Sequence, residues 1–148
     1  MIYICGDSFG VPDPEMGLCW VDYLAQQCPV TNLAQVCASN LMISQQVDRA
    51  LSNGADFVIV LFTASTRLQT RLNDRVVPFS VNSLDETTPF DQNQLEILKQ
   101  YVVEFFDLEL AIYQNQITIE SVLNKLVDSK IPFRFDQGGL DRKSTRLN

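Results

Sequence analysis

Ile2-Tyr3-Ile4-Cys5-Gly6-Asp7-Ser8 begins with an unbroken apolar run and stops at a glycine, a carboxylate and a hydroxyl. A continuous apolar run, rather than an alternating one, is the pattern of a parallel strand buried on both faces. Outward from it, Leu18, Val21, Leu24 and Ala25 fall at helical spacing within residues 17–28. Pro29 ends that pattern, and Val30 to Ala34 reads as a second short strand. From Ser39, the positions Leu41, Ile43, Val47 and Leu51 trace a helix closed by Asn53-Gly54, a C-terminal capping signal. Phe57-Val58-Ile59-Val60-Leu61-Phe62 is the strongest strand in the chain. Strands alternating with helices imply βαβ units and a parallel sheet, so the expected class is α/β.

Residues 63–90 break this rhythm. They are polar, carry Arg67, Arg71, Asp74, Arg75, Pro78 and Pro89, and read as a long loop of the kind that covers a site. Asp91 to Lys130 reads as helix almost throughout. As one rod it would run about 60 Å, whereas a compact chain of this length is only about 40 Å across. A break is therefore expected near Phe106-Asp107-Leu108. Ile131 to Phe135 reads as the last strand, ending at Asp136-Gln137-Gly138-Gly139.

The 148 residues suit one domain. Lys and Arg number 11 against 18 Asp and Glu, a net charge of −7, which excludes a phosphate-neutralising groove and a polybasic membrane anchor. Neither nucleic acid nor membrane is an expected partner. The 4 cysteines, Cys5, Cys19, Cys28 and Cys37, form no CxxC pair and read as free thiols of a reducing compartment. Neither apolar run has the form of a signal peptide or the roughly 20 residues of a membrane span. The expected location is cytoplasmic. There is no histidine, so no Ser-His couple, HExxH zinc site or imidazole base exists within these residues.

In an open α/β sheet, ligands sit at the carboxyl ends of the strands. Gly6-Asp7-Ser8-Phe9-Gly10 follows the first strand, Gln35-Val36-Cys37-Ala38-Ser39-Asn40 the second, and Thr63-Ala64-Ser65-Thr66-Arg67 the third. Ser, Thr, Asp and Asn also serve ordinary turns and helix caps, and Arg67 suits a surface ion pair with Asp74 or Asp7 equally well. Taken together and in order, the strand with Gly-Asp-Ser-Phe and the later Asn-Leu-Ala…Ala-Ser-Asn resemble the SGNH (GDSL-type) hydrolase family. The resemblance implies a three-layer α/β/α, flavodoxin-like fold from Ile2 to about Asp136. It implies Ser8 as the nucleophile of ester hydrolysis, acting on a small-molecule or glycan ester, with no cofactor.

The sequence departs from the family at several points. The oxyanion glycine of the second block falls on Cys37, whose backbone N–H survives the change if the residue accepts the conformation. The third block, Gly-x-Asn-Asp, is replaced by Thr63-Ala64-Ser65-Thr66-Arg67, similar to divergent SGNH-like proteins of tailed bacteriophages. Ser65 or Arg67 is then the substitute oxyanion donor. The family's Asp-x-x-His is met by Asp136-Gln137-Gly138-Gly139, which has no base. From Asp141 the composition shifts, with Arg142, Lys143 and Arg146 within the last eight positions, and Lys143 to Asn148 resembles translated sequencing-adapter read-through. The expectation is one incomplete domain over residues 1–140 with a non-native tail over 141–148. An inactive SGNH-fold binding or accessory protein is the alternative function. A flavin or nucleotide binder of the same architecture is disfavoured, because Asp7 sets a negative charge at the turn where a phosphate would sit.

Overall fold

The computed structural model of the chain describes residues 1–12, 18–84 and 89–137. Gly138, Gly139 and the 141–148 tail lie outside the described residues. The elements run β1 (Ile2–Gly6), a 3-10 turn (Ser8–Gly10), α1 (Trp20–Ala25), β2 (Val30–Asn32), α2 (Asn40–Ser52), β3 (Phe57–Phe62), β4 (Arg67–Leu72), β5 (Arg75–Ser80), α3 (Gln92–Phe105), α4 (Leu108–Ser129) and β6 (Phe133–Gln137). β1, β2, β3 and β6 form a parallel sheet in the order β2-β1-β3-β6, the α/β class the alternating pattern implied. No described helix is long and apolar enough to cross a membrane.

Tyr3 pairs with Val58 and Cys5 with Val60 across β1 and β3, so these side chains share one face of the sheet. α2 and α4 pack there. Ile43, Val47 and Ala50 of α2 and Val122 and Leu126 of α4 are fully buried against Cys5, Val58, Val60 and Phe62. Cys5 has no exposed surface, and burial pushes its thiol up to about 12. Ile4 points to the opposite face and is also fully buried. Gly10 approaches it so closely that a Cβ there would lie 2.7 Å from Ala34 Cβ and 3.4 Å from Ile4 Cγ2.

The long polar segment is not loop throughout. Residues 67–80 form an antiparallel hairpin whose strands pair from Arg67↔Ser80 to Leu72↔Arg75. Its turn is Asn73-Asp74, with φ of 46° and 64° at the two residues, the doubly left-handed geometry that suits hairpin twist. Leu68, Leu72, Val77 and Phe79 then pack with Phe90 and with Leu95, Leu98 and Val102 of α3. This makes a second, smaller core beside the first. The expected break between the long helices falls at Phe106-Asp107. Asp107 Oδ1 accepts the Leu110 N–H at 2.9 Å, so its carboxylate caps a new helix instead of continuing the old one.

Candidate functional site

β2 lies on one side of β1 and β3 on the other, so the chain changes direction across the sheet between β1 and β3. The carboxyl ends of two such strands diverge into loops on opposite sides and leave a crevice. Asp7 stands at the end of β1 and Thr63 at the end of β3. Thr63 Oγ1 donates to Asp7 Oδ2 at 2.7 Å, and the Phe9 N–H donates to Asp7 Oδ1 at 3.1 Å. Asp7 is only 1% exposed. Among the described residues no cation pairs with it, and these two donors are its hydrogen-bond partners. Asp7 therefore ties the Ser8 turn to β3 and holds Ser8, which is exposed, at the first position of the 3-10 turn.

The β2–α2 loop forms the second wall. The Gln35 N–H donates to Gly6 O at 3.1 Å, and the Ala38 N–H donates to Gln35 O at 3.1 Å. The latter bond closes a four-residue turn with Cys37 at its third position. Cys37 has φ of 63°. A turn with a left-handed third residue is a type II turn, where glycine is the favoured occupant because it lacks a Cβ. Cys37 thus occupies a glycine conformation while carrying a side chain. In such a turn the third residue's N–H faces away from the closing bond. Neither it nor the Ser8 N–H has an acceptor among the described residues.

Arg67 completes the group. Its Nη1 donates to Cys37 Sγ at 2.9 Å. The alternative ion pairs are not formed: Asp74 pairs with Arg71 at 3.2 Å, and Asp7 is occupied by Thr63. Ser65 is half-buried in the turn that leads from β3 into β4. The structure therefore brings the Ser8 turn, Cys37 and Arg67 to one end of the sheet.

Sequence reasoning missed most of the side chains that brace this rim. Gln46 of α2 accepts from the Gly6 N–H at 2.7 Å and donates to Gly6 O at 3.3 Å, fixing the end of β1. Asn40 accepts the Thr63 N–H and donates to Thr63 O, each at 2.9 Å, and donates to Asn115 of α4 at 2.7 Å. The available signal was an amide interrupting an apolar stripe, as Gln46 does beside Met42, Ile43, Val47 and Ala50. Ser39 caps α2 through the Met42 N–H and donates to Gln69 of the hairpin at 2.6 Å.

A cleft of about 580 Å3 opens between the hairpin, α3 and α4. Its walls include Arg67, Gln69, Phe79, Leu98, Tyr101 and Gln114. Among the described residues, Arg67 and Tyr101 are its ionisable side chains, and neither Ser8, Cys37 nor Ser65 is in its lining. Among the described residues no cluster of His, Cys, Asp and Glu suits a metal ion. No protein-family model, curated protein or solved structure matches the chain.

Proposed function

We propose that this rim is an acyl-ester site of the SGNH-like kind, on a three-layer α/β/α, flavodoxin-like domain over residues 1–140, with Ser8 as nucleophile. The observation that carries the reading is Cys37 in a glycine conformation (φ 63°), its N–H without an acceptor among the described residues, in the loop whose Gln35 N–H donates to Gly6 O just ahead of the Ser8 turn. Ser8 Oγ attacks the ester carbonyl carbon and its proton passes to a base. The carbonyl oxygen, now negative, lies against the Ser8 and Cys37 N–H groups with the Arg67 guanidinium or the Ser65 hydroxyl as further donor. The ester C–O bond then breaks, the alcohol leaves, and water hydrolyses the acyl-serine. The cleft beside Arg67 gives room for the acyl or sugar part of a small-molecule or glycan ester.

None of the 148 residues is a histidine, so no imidazole base lies within this sequence. Dissolved imidazole is a fair substitute. Hydrolysis of p-nitrophenyl acetate, followed against imidazole concentration, should rise at least about tenfold more steeply with the wild type than with Ser8→Ala, below the roughly 100-fold of a positioned base because dissolved imidazole is not held in place. Equal slopes would remove Ser8 as nucleophile.

A second reading, an inactive SGNH-fold binding or accessory protein, is favoured by one observation. The cleft is lined by Arg67 and not by Ser8. Equal imidazole slopes in the same assay would transfer the functional reading to it.

A further inference from the structure

The cleft between the hairpin, α3 and α4 has two unlike parts. Arg67 and Gln69, two positions apart on β4, share one face of that strand. They meet the start of α2, where Ser39 Oγ donates to Gln69 Oε1 at 2.6 Å. The other part is apolar and is built mainly by Ile97, Leu98 and Tyr101 of α3. Asn40 and Asn115 also line the cleft, but their amides are already engaged, with each other, with both backbone groups of Thr63 and with Ala111 O. The engaged and unengaged donors can therefore be told apart. Arg67 gives one N–H to Cys37 Sγ, and neither its remaining guanidinium N–H groups nor the Gln69 NH2 has an acceptor among the described residues.

We propose that this cleft binds a small monocarboxylic acid with an apolar body, its carboxylate on Arg67 and Gln69 and its body against Ile97, Leu98 and Tyr101. Size is the first argument. Small-molecule pockets run about 300–1,000 Å3 and are mostly apolar with a few placed polar groups, and this cleft holds about 580 Å3. Charge is the second. The chain carries 18 Asp and Glu, yet among the described residues none lines the cleft, whereas Arg67 does. A hollow with one fixed cation and no carboxylate, in a chain of net −7, selects an anion.

The form of the cation narrows the class. A guanidinium fork meets a carboxylate through two parallel N–H···O bonds. A dianion would bring a second charge that no cation of the lining meets, and a neutral ligand would cover the guanidinium without pairing it. The apolar part requires a ligand body that gains by leaving water. The proposal needs neither functional reading of the Ser8 rim, since Ser8, Cys37 and Ser65 do not line the cleft, and its test reads binding rather than turnover.

The test is an NMR titration of the 15N-labelled full chain with 4-phenylbutyrate, whose amide spectrum also reports whether each variant is folded. The expected dissociation constant is about 1 mM or tighter, modest for a dozen non-hydrogen atoms, with the largest shifts at residues 67–70 and 97–101. The neutral 4-phenylbutan-1-ol and the dianionic phenyl phosphate should each bind at least about tenfold more weakly, as should 4-phenylbutyrate to Arg67→Gln, the scale of losing a charge-assisted hydrogen bond. Ile97 is 59% exposed, so charges placed there test the site without disturbing the core. Ile97→Glu should bind the acid at least about threefold more weakly than Ile97→Lys. No saturable shift at these residues overturns the proposal. So does an alcohol or a phosphate that binds as tightly as the acid, a folded Arg67→Gln that binds as wild type does, or two Ile97 variants of equal affinity.

Discussion

A side chain held in left-handed backbone costs about 1–2 kcal/mol, and Cys37 bears that cost at the rim (φ 63°). Replacement by glycine removes the strain but loosens the unfolded chain by about 0.5–1 kcal/mol. Cys37→Gly should therefore hold or raise stability by up to about 1 kcal/mol, and the β-branched Cys37→Val should lower it by about 1–3 kcal/mol. Urea midpoints check both. A glycine variant less stable than Cys37→Val would mean that the turn is not strained.

Cys5 makes a separate prediction. Burial raises its thiol from 9.0 to about 12 in the folded chain. Above pH 9 the unfolded chain loses this proton while the folded chain keeps it, so stability falls with rising pH. The contribution is fully present below pH 9 and lost between about pH 9 and 12, with a limiting slope of about 1.4 kcal/mol per pH unit. Urea unfolding from pH 8 to 10.5 should show wild type losing stability faster than Cys5→Ala. Parallel profiles would contradict a desolvated thiol.

Elements whose pattern had a single period were legible in the sequence. β1 and β3 are continuous apolar runs, and α2 ends at its Asn53-Gly54 cap as expected. The interruption at Asp107 was legible too, because a rod of that length does not fit the domain. The hairpin was misread for two physical reasons. Its turn has no glycine, since Asn and Asp tolerate left-handed backbone without one. Pro78 suggested a break, yet in a two-stranded ribbon every strand is an edge strand, and an edge accommodates proline where its missing N–H would face outward. The candidate site was legible only as motifs. Pairings such as Asp7 with Thr63 and Asn40 with Asn115 join residues 56 and 75 positions apart, which no local period reveals. At this scale Asp74→Val should cost about 1–2 kcal/mol, because a β-branched residue is forced into φ 64°. Asp74→Gly should be neutral or better, since the Arg71–Asp74 pair is largely solvent-exposed and contributes little. A Val variant as stable as wild type in thermal unfolding would dismiss the strained turn.

On the scale of the whole molecule, two cores meet at the rim. Thr63 at the end of β3 holds Asp7 and so the Ser8 turn, and the hairpin brings Arg67 both to Cys37 and to the wall of the cleft. Under the proposed ester reading, the larger core would set the geometry of the reacting serine and the smaller one would shape what approaches it. The most direct measurement is intact-mass spectrometry after exposure to a fluorophosphonate in the presence of imidazole, with wild type, Ser8→Ala and Arg67→Ala side by side. The account predicts one phosphonyl adduct that maps to Ser8, is absent from Ser8→Ala and forms at least about 100-fold more slowly in Arg67→Ala, the scale of losing an oxyanion donor. No adduct on folded wild type, or an adduct that Ser8→Ala retains, would contradict it.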